Sequence, residues 1–324
     1  MIKKIFKLLF FFIFIYFIIA FSVYLISAIA LSRGKIIDIH PIINYQNNAY
    51  GSLGFMNVWQ AQNECVEFDK DTIYVPKIGK CVFNNIEFKT ELNFTAEGRD
   101  NNNKNLILKN KKGIAVIGDS FAMGWGVNDN ETFSSVLEKN LGIRVYNLAV
   151  AGYATERSLI RLKKSNLIDS VETIIIVYCY NDYGENEAHL SLKDEDNSKK
   201  KYEIISTAKL SILKRLRKAI RYSVKIPMEI LFGIKEQNNW ESHVYFFEEI
   251  LKKYDFVTDK KIIVIGVNGP EKNFLNFPNG NSNNIPNLTY VDIKFEKEDF
   301  FIIDGHLNPA GHKKISQVLS KYVN

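Results

Sequence analysis

Only three cysteines occur in 324 residues, and no CxxC or HExxH accompanies them, so a zinc site finds no ligand pattern in this chain. There is no P-loop and no complete dinucleotide-binding glycine fingerprint, which removes the familiar phosphate cradles and the cofactor chemistry they serve. The net charge is +6, yet no nucleic-acid recognition motif goes with it. Histidine is scarce: of the five, His40, His189 and His243 carry no motif and read as surface or core residues. The reading therefore calls for neither cofactor nor metal, and for no nucleic-acid partner.

Charge is missing altogether from Leu8 to Leu31 (LLFFFIFIYFIIAFSVYLISAIAL). As a helix this run is roughly 36 Å long, enough to cross a hydrocarbon core of about 30 Å. Secretory signals have a shorter apolar region, so an uncleaved anchor is expected, with cleavage after Ala28-Ile29-Ala30 as the alternative. Lys3, Lys4 and Lys7 precede the span whereas Arg33 and Lys35 follow it, which points the N-terminus to the cytoplasm and the bulk of the chain outside.

Cys65 and Cys81 fit that orientation. They flank a segment with turn formers Pro76 and Gly79, which suits a local disulfide in an oxidising compartment; two unpaired thiols are the alternative. Much of the positive charge lies in residues 199 to 225, where Leu210, Ile212, Leu213, Leu216, Ile220 and Val224 recur at roughly helical spacing among lysines and arginines. This reads as a basic amphipathic helix, either a solvated face over a packed stripe or a contact for anionic lipid heads or an acidic polysaccharide.

From Lys111 onward, apolar periodicity predicts strands at Ile114–Ile117, Val145–Val150, Val171–Tyr178 and Lys261–Val267. Helices are predicted at Glu131–Leu141, Thr155–Asn166, Glu241–Tyr254 and from Pro309. The alternation implies a parallel sheet covered on both faces, with its site beyond the carboxyl ends of the strands. The polar residues fall there. Ser120 follows the first strand (GIAVIGDSFAMGW), Gly152 the second (NLAVAGYAT), Asn181 and Asp182 the third (IVYCYNDYGEN), and Asp304 and His306 sit in DGHLNPAGH before the last helix.

Alone, Ser120 suits a turn as well as a nucleophile. Together these residues meet the needs of acyl transfer. A serine hydroxyl requires an imidazole to take its proton, which His306 can supply, and Asp304 can hold that imidazole's tautomer. The backbone N–H groups of Ser120 and Gly152, with the Asn181 amide, are candidate donors to the oxyanion.

The stretches GDSFAMGWGV, NLAVAGY, YND and DGHLNPAGH resemble the four blocks of the SGNH/GDSL hydrolases, over roughly residues 111 to 324. The resemblance implies an α/β, three-layer flavodoxin-like fold and action on acyl esters. Ser120 would be nucleophile and oxyanion donor, Gly152 and Asn181 the other donors, His306 the base and Asp304 its carboxylate. Two positions depart from the pattern. Cys179 stands where the third block usually has glycine, and reads as a buried small hydrophobe. The last block is Asp304-Gly-His306 in place of Asp-x-x-His, which resembles the branch containing enzymes of bacterial polysaccharide O-acetylation. His312 is a rival base, but with no carboxylate three residues before it, it reads as structural.

The expected organisation is a tail and anchor at 1–34, a β-rich lead-in at 35–110 packed on the catalytic domain, and a catalytic domain at 111–324 with an insert at about 184–239 that could lid the site. The expected function is a serine esterase acting on small acyl esters, acetyl first, of envelope glycans. The competing readings are a polysaccharide O-acetyltransferase, a lipid or thioester hydrolase, and a non-catalytic glycan-binding protein that keeps the fold. The expected partners are an acylated glycan or other ester substrate and the membrane through Leu8–Leu31.

Overall fold

The structure is a computed structural model that describes residues 2–39, 42–104, 106–191, 198–206, 217, 220, 221, 225, 240–270 and 277–323. It begins with helix α1 (Ile2–Ser32), long and apolar enough to cross a membrane. Phe10, Phe12 and Ile18 project from it with half or more of their surface uncovered by protein, which suits a hydrocarbon surround. Its last turns differ. Ala20, Tyr24, Ala28 and Leu31, at helical spacing on one face, pack with Ile43, Ala49 and Tyr50 of helix α2 (Ile42–Ser52). The β-rich reading of the lead-in does not announce this helix.

The rest of the lead-in is β-structure. Strands β1 (Val66–Asp69) and β2 (Ile73–Pro76) form a hairpin, followed by β3 (Gly79–Asn84), β4 (Lys89–Thr95) and β5 (Gly98–Arg99). Cys65 and Cys81 are joined by a disulfide with Cα atoms 5.3 Å apart, tying the hairpin to β3.

Beyond residue 111 run β6 (Gly113–Gly118), α3 (Ser120–Met123), α4 (Phe133–Leu141), β7 (Val145–Asn147), α5 (Thr155–Lys164), β8 (Val171–Tyr178), α6 (Asp182–Ser191) and α7 (Ser198–Ser206). They are followed by α8 (Trp240–Leu251), α9 (Asp255–Thr258), β9 (Lys261–Gly266), β10 (Gly280–Asn281), β11 (Leu288–Val291) and α10 (Pro309–Val323). Strands β7, β6, β8, β9 and β11 lie side by side and parallel, the flavodoxin-like order in which the chain starts inside the sheet and reverses direction. Strand β6 is buried along its whole length because both faces are covered. Ile114 and Val116 face Phe133 and Leu137 of α4 and Ile315 and Leu319 of α10, whereas Ala115 and Ile117 face Leu159 and Leu162 of α5 and Phe247 and Leu251 of α8.

The lead-in does more than pack on this domain. Through the antiparallel pair Arg99↔Asn147, β5 continues the central sheet, so among the described residues β3, β4 and β5 complete one nine-stranded sheet. A Cβ on Gly98 would lie 2.2 Å from Asn147 O, so the two segments meet this closely only through glycine. Of the insert, α7 packs Tyr202 against Phe68 of the hairpin, with ring centroids 5.6 Å apart. Leu210, Ile212, Leu213, Leu216 and Val224 of the expected basic helix lie outside the described residues, as does His40.

Candidate active site

Strand β6 delivers the serine. Gly118 has φ of 137° and a Cβ there would sit 2.6 Å from Val177 O of β8, so the strand can turn out of the sheet only because residue 118 lacks a side chain. Asp119 caps the short helix that follows, its Oδ1 accepting from the Phe121 N–H at 2.9 Å, and Ser120 stands half-buried at the helix start.

His306 arrives from the loop before α10, where the Phe301 N–H donates to His306 O at 2.8 Å. Its Nε2 lies 2.8 Å from Ser120 Oγ and its Nδ1 lies 2.5 Å from Asp304 Oδ1. With Nδ1–H donated to the carboxylate, the neutral ring presents Nε2 as acceptor for the serine hydroxyl. The ring is held between aromatics: Trp125 stacks on it with centroids 4.8 Å apart and planes inclined at 17°, and Phe121 lies 4.8 Å away on centroids.

Asp304 is the buried end of this chain, with a side chain 0% exposed, and the lead-in surrounds it. Tyr50 Oη donates to Asp304 Oδ2 at 3.1 Å, Asn85 Nδ2 lies 3.5 Å from the same oxygen, and the Glu87 carboxylate accepts the backbone N–H groups of Ile302, Ile303 and Asp304 at 2.7, 2.8 and 2.7 Å. Sequence reasoning missed Tyr50, Asn85, Glu87 and Trp125. Trp125 lies inside the first block, GDSFAMGWGV, without a role being read for it, and the three lead-in residues lie in no motif and far along the chain from the loop they hold.

Gly152 and Asn181 sit beyond the carboxyl ends of β7 and β8, on the same rim as Ser120. Neither is hydrogen-bonded to the serine, histidine or aspartate. Among the described residues the N–H groups of Ser120 and Gly152 have no protein acceptor, and the exposed Asn181 side chain has no hydrogen-bond partner. Gly152 has φ of 81°, and a Cβ there would meet Gln60 Nε2 at 2.5 Å and Tyr74 Oη at 2.7 Å, so the lead-in walls this turn. The Gly152 carbonyl accepts from the half-buried Arg157 guanidinium, which also pairs with Glu185. The turn carrying Asn181 is braced by Asp182 Oδ2, accepting from the Cys179 N–H, and by Asn268 Oδ1, accepting from the Tyr180 N–H, both at 2.9 Å.

Electrostatics separate the acceptors from the bystanders. Burial pushes the Cys179 thiol up, reinforced by the Asp119 and Asp182 carboxylates, so it stays a protonated, buried group. Burial likewise raises Asp182, and raises Asp119 to about 6.

His312 is the opposite case to His306. It lies in α10 with Nδ1 accepting from the Phe133 N–H at 3.2 Å, and burial first, then the positive charge of Arg99, lowers it to about 3. The folded state thus binds His312's proton far more weakly than the unfolded chain, whose histidine titrates near 6.5, so stability is complete above about pH 6.5 and is lost as pH falls toward 3. Between pH 6.5 and 5 this residue alone is expected to remove about 2 kcal/mol. Denaturant titrations at pH 7 and pH 5 measure it. His312→Gln, which keeps an acceptor for Phe133, should flatten the dependence, and an equal slope in wild type and variant would assign the acid sensitivity elsewhere.

Among curated proteins the chain has no match. Among solved structures it is similar to one described as "The active site of a carbohydrate esterase displays divergent catalytic and non-catalytic binding functions", at 13% identity and a TM-score of 0.32, covering 67% of this chain and 69% of that one. The model of the family described as GDSL-like Lipase/Acylhydrolase matches residues 114–319. That span opens on β6 just before Ser120 and closes in α10 just after His306, and the α/β protein described above belongs to the GDSL-like lipase/acylhydrolase family of serine esterases.

Proposed function

We propose that this protein is a membrane-anchored serine esterase that removes small acyl groups, acetyl first, from envelope glycans outside the cytoplasm. The observation that carries the reading is the hydrogen-bonded chain from Ser120 Oγ through His306 to Asp304, at 2.8 and 2.5 Å. In the first step Ser120 Oγ bonds to the acyl carbon while His306 Nε2 takes the hydroxyl proton. Asp304 stabilises the imidazolium, and the N–H groups of Ser120 and Gly152 with the Asn181 amide receive the oxyanion. His306 then gives its proton to the departing sugar oxygen. Water attacks the acyl-serine with its proton taken by the same nitrogen, and as the bond between Ser120 Oγ and the acyl carbon breaks, His306 returns that proton to Oγ and the acid leaves.

Two observations favour a bulky substrate with a small acyl group at the membrane. Ser120 is half-buried on the rim, where a glycan can approach and only the acyl group need enter. The packing of α1 onto α2 begins at Ala20, so residues 8–19 supply about 18 Å of charge-free, largely uncovered apolar helix. That length is more than half of a bilayer core of about 30 Å and keeps the folded domain close to its surface.

Chain-length selectivity tests the acyl group. With p-nitrophenyl esters and full-length enzyme, kcat/KM for acetate is expected to exceed that for hexanoate by roughly tenfold or more. A preference for hexanoate would replace this reading with a lipid or thioester hydrolase.

A further inference from the structure

We infer that Tyr50 is a positioning residue of the catalytic site, supplied by the membrane-proximal helix pair to hold the carboxylate that orients His306. The inference rests on the Ser120–His306–Asp304 reading and adds a fourth group to it.

The two carboxylate oxygens of Asp304 have different partners. Oδ1 is engaged by His306 Nδ1 at 2.5 Å, and the rotation of the carboxylate about its own bond is then set by what holds Oδ2. Tyr50 Oη lies 3.1 Å from that oxygen, nearer than Asn85 Nδ2 at 3.5 Å. Burial, then the negative charges of Asp304 and Glu87, push the Tyr50 phenol far above its ordinary range, so it keeps its proton and donates at any working pH.

Tyr50 is itself immobile. It is 2% exposed and packs in one cluster with Tyr24, Ala28 and Leu31 of α1 and with Ile303, the neighbour of Asp304. Glu87 fixes the backbone of the same loop by accepting three consecutive N–H groups, from Ile302 to Asp304. The two groups therefore act on different parts of the aspartate. Glu87 holds the main chain from which it projects, and Tyr50 holds which way its oxygens face. Because α2 lies against the end of α1, the orientation of the catalytic carboxylate is built on the helix that enters the membrane.

The test uses Tyr50→Phe in the full-length enzyme in detergent micelles, with Tyr45→Phe as control. Tyr45 is buried in the same cluster on the same helix. Tyr50→Phe keeps the ring and its packing, so the thermal midpoint should stay close to wild type. Its kcat on p-nitrophenyl acetate should fall about tenfold with KM little changed, the signature of a contact that matters in the transition state. The acid limb of kcat/KM should move to higher pH, by about half a unit. A carboxylate that no longer shares its charge with the phenol stabilises the imidazolium more strongly, and His306 must be neutral to act as base. The other titratable groups facing this cluster are Glu87 beside Tyr50 and Asp304, and Asp119 and His312 around His306, all unchanged by the substitution. Tyr45→Phe should leave both kcat and the acid limb in place. If Ser120→Ala abolishes turnover while Tyr50→Phe matches wild type in kcat and pH profile, the positioning role is refuted and the triad stands. If Ser120→Ala is as active as wild type, the catalytic reading itself fails.

Discussion

Ser120→Ala is expected to lower kcat on p-nitrophenyl acetate by roughly 10³-fold or more, and His306→Ala by a similar factor, with the double variant little worse than either single one. The non-additivity follows from the geometry. His306 Nε2, 2.8 Å from Ser120 Oγ, has nothing to deprotonate once the hydroxyl is gone, and the hydroxyl without the imidazole is a weak nucleophile. Neither substitution should unfold the protein, because Ser120 is half-buried and the His306 side chain is 17% exposed on the rim. Steady-state kinetics beside labelling by a fluorophosphonate probe measure both points. A Ser120→Ala enzyme that keeps a tenth of the wild-type rate would place the nucleophile elsewhere and leave a glycan-binding role as the better account of this rim.

Arg99→Leu is expected to destabilise the fold by about 3–5 kcal/mol, more than the about 2 kcal/mol expected from His312 between pH 6.5 and 5. The Arg99 side chain is 0% exposed and divides its donors among four acceptors: Met123 O at 2.8 Å, Gly124 O at 2.6 Å, Val127 O at 2.6 Å and Asp129 Oδ1 at 2.8 Å. Burial opposes both charges, lowering Arg99 and raising Asp129, so the value of the arrangement lies less in net attraction than in the cost of leaving its members unpaired. Leucine would take the guanidinium away from three carbonyls and a carboxylate at once, leaving, among the described residues, Gly124 O only the long bond from the Val127 N–H and the Asp129 carboxylate only the Asn93 N–H. The loop so held, Met123 to Val127, carries Trp125 onto the face of His306, so activity should fall together with stability. Denaturant unfolding of wild type, Arg99→Leu and Arg99→Lys measures the effect. Lysine retains the charge without the planar fork and is expected to recover only a minor part. A loss under about 1 kcal/mol in Arg99→Leu would mean that packing alone holds the loop.

How far these features were readable from the chain depends on the range of the interaction that creates each. Strand β8 spans Val171–Tyr178 as the β-branched run predicts, because burial on both faces demands apolar residues throughout. Strand β7 is shorter than the predicted Val145–Val150 and ends at Asn147. The segment past it still donates from Leu148 to Val116 O and from Val150 to Gly118 O, so the apolar pattern reflects sheet contact that outlasts the regular ladder. Helix α2 escaped because Asn and Tyr in IINYQNNAYGS carry little helical propensity, and its stability comes from packing on α1.

By itself, then, the sequence determined the apolar span, the order of strands and helices, and the short motifs that carry Ser120, Asp304 and His306, since each is written in neighbouring residues and their period. It also placed Cys65 and Cys81 near enough along the chain for the disulfide found. Only the tertiary structure decided that the lead-in extends the central sheet through a single pair at Arg99, that Arg99 braces the loop behind Ser120, and that Asp304 is gripped by the lead-in. Tyr50 is 254 residues from Asp304, and Glu87 is 217. A hydrogen bond across such a separation leaves no periodicity and no spacing to read. It exists because the folded sheet brings the loops at its carboxyl edge against the N-terminal helix pair.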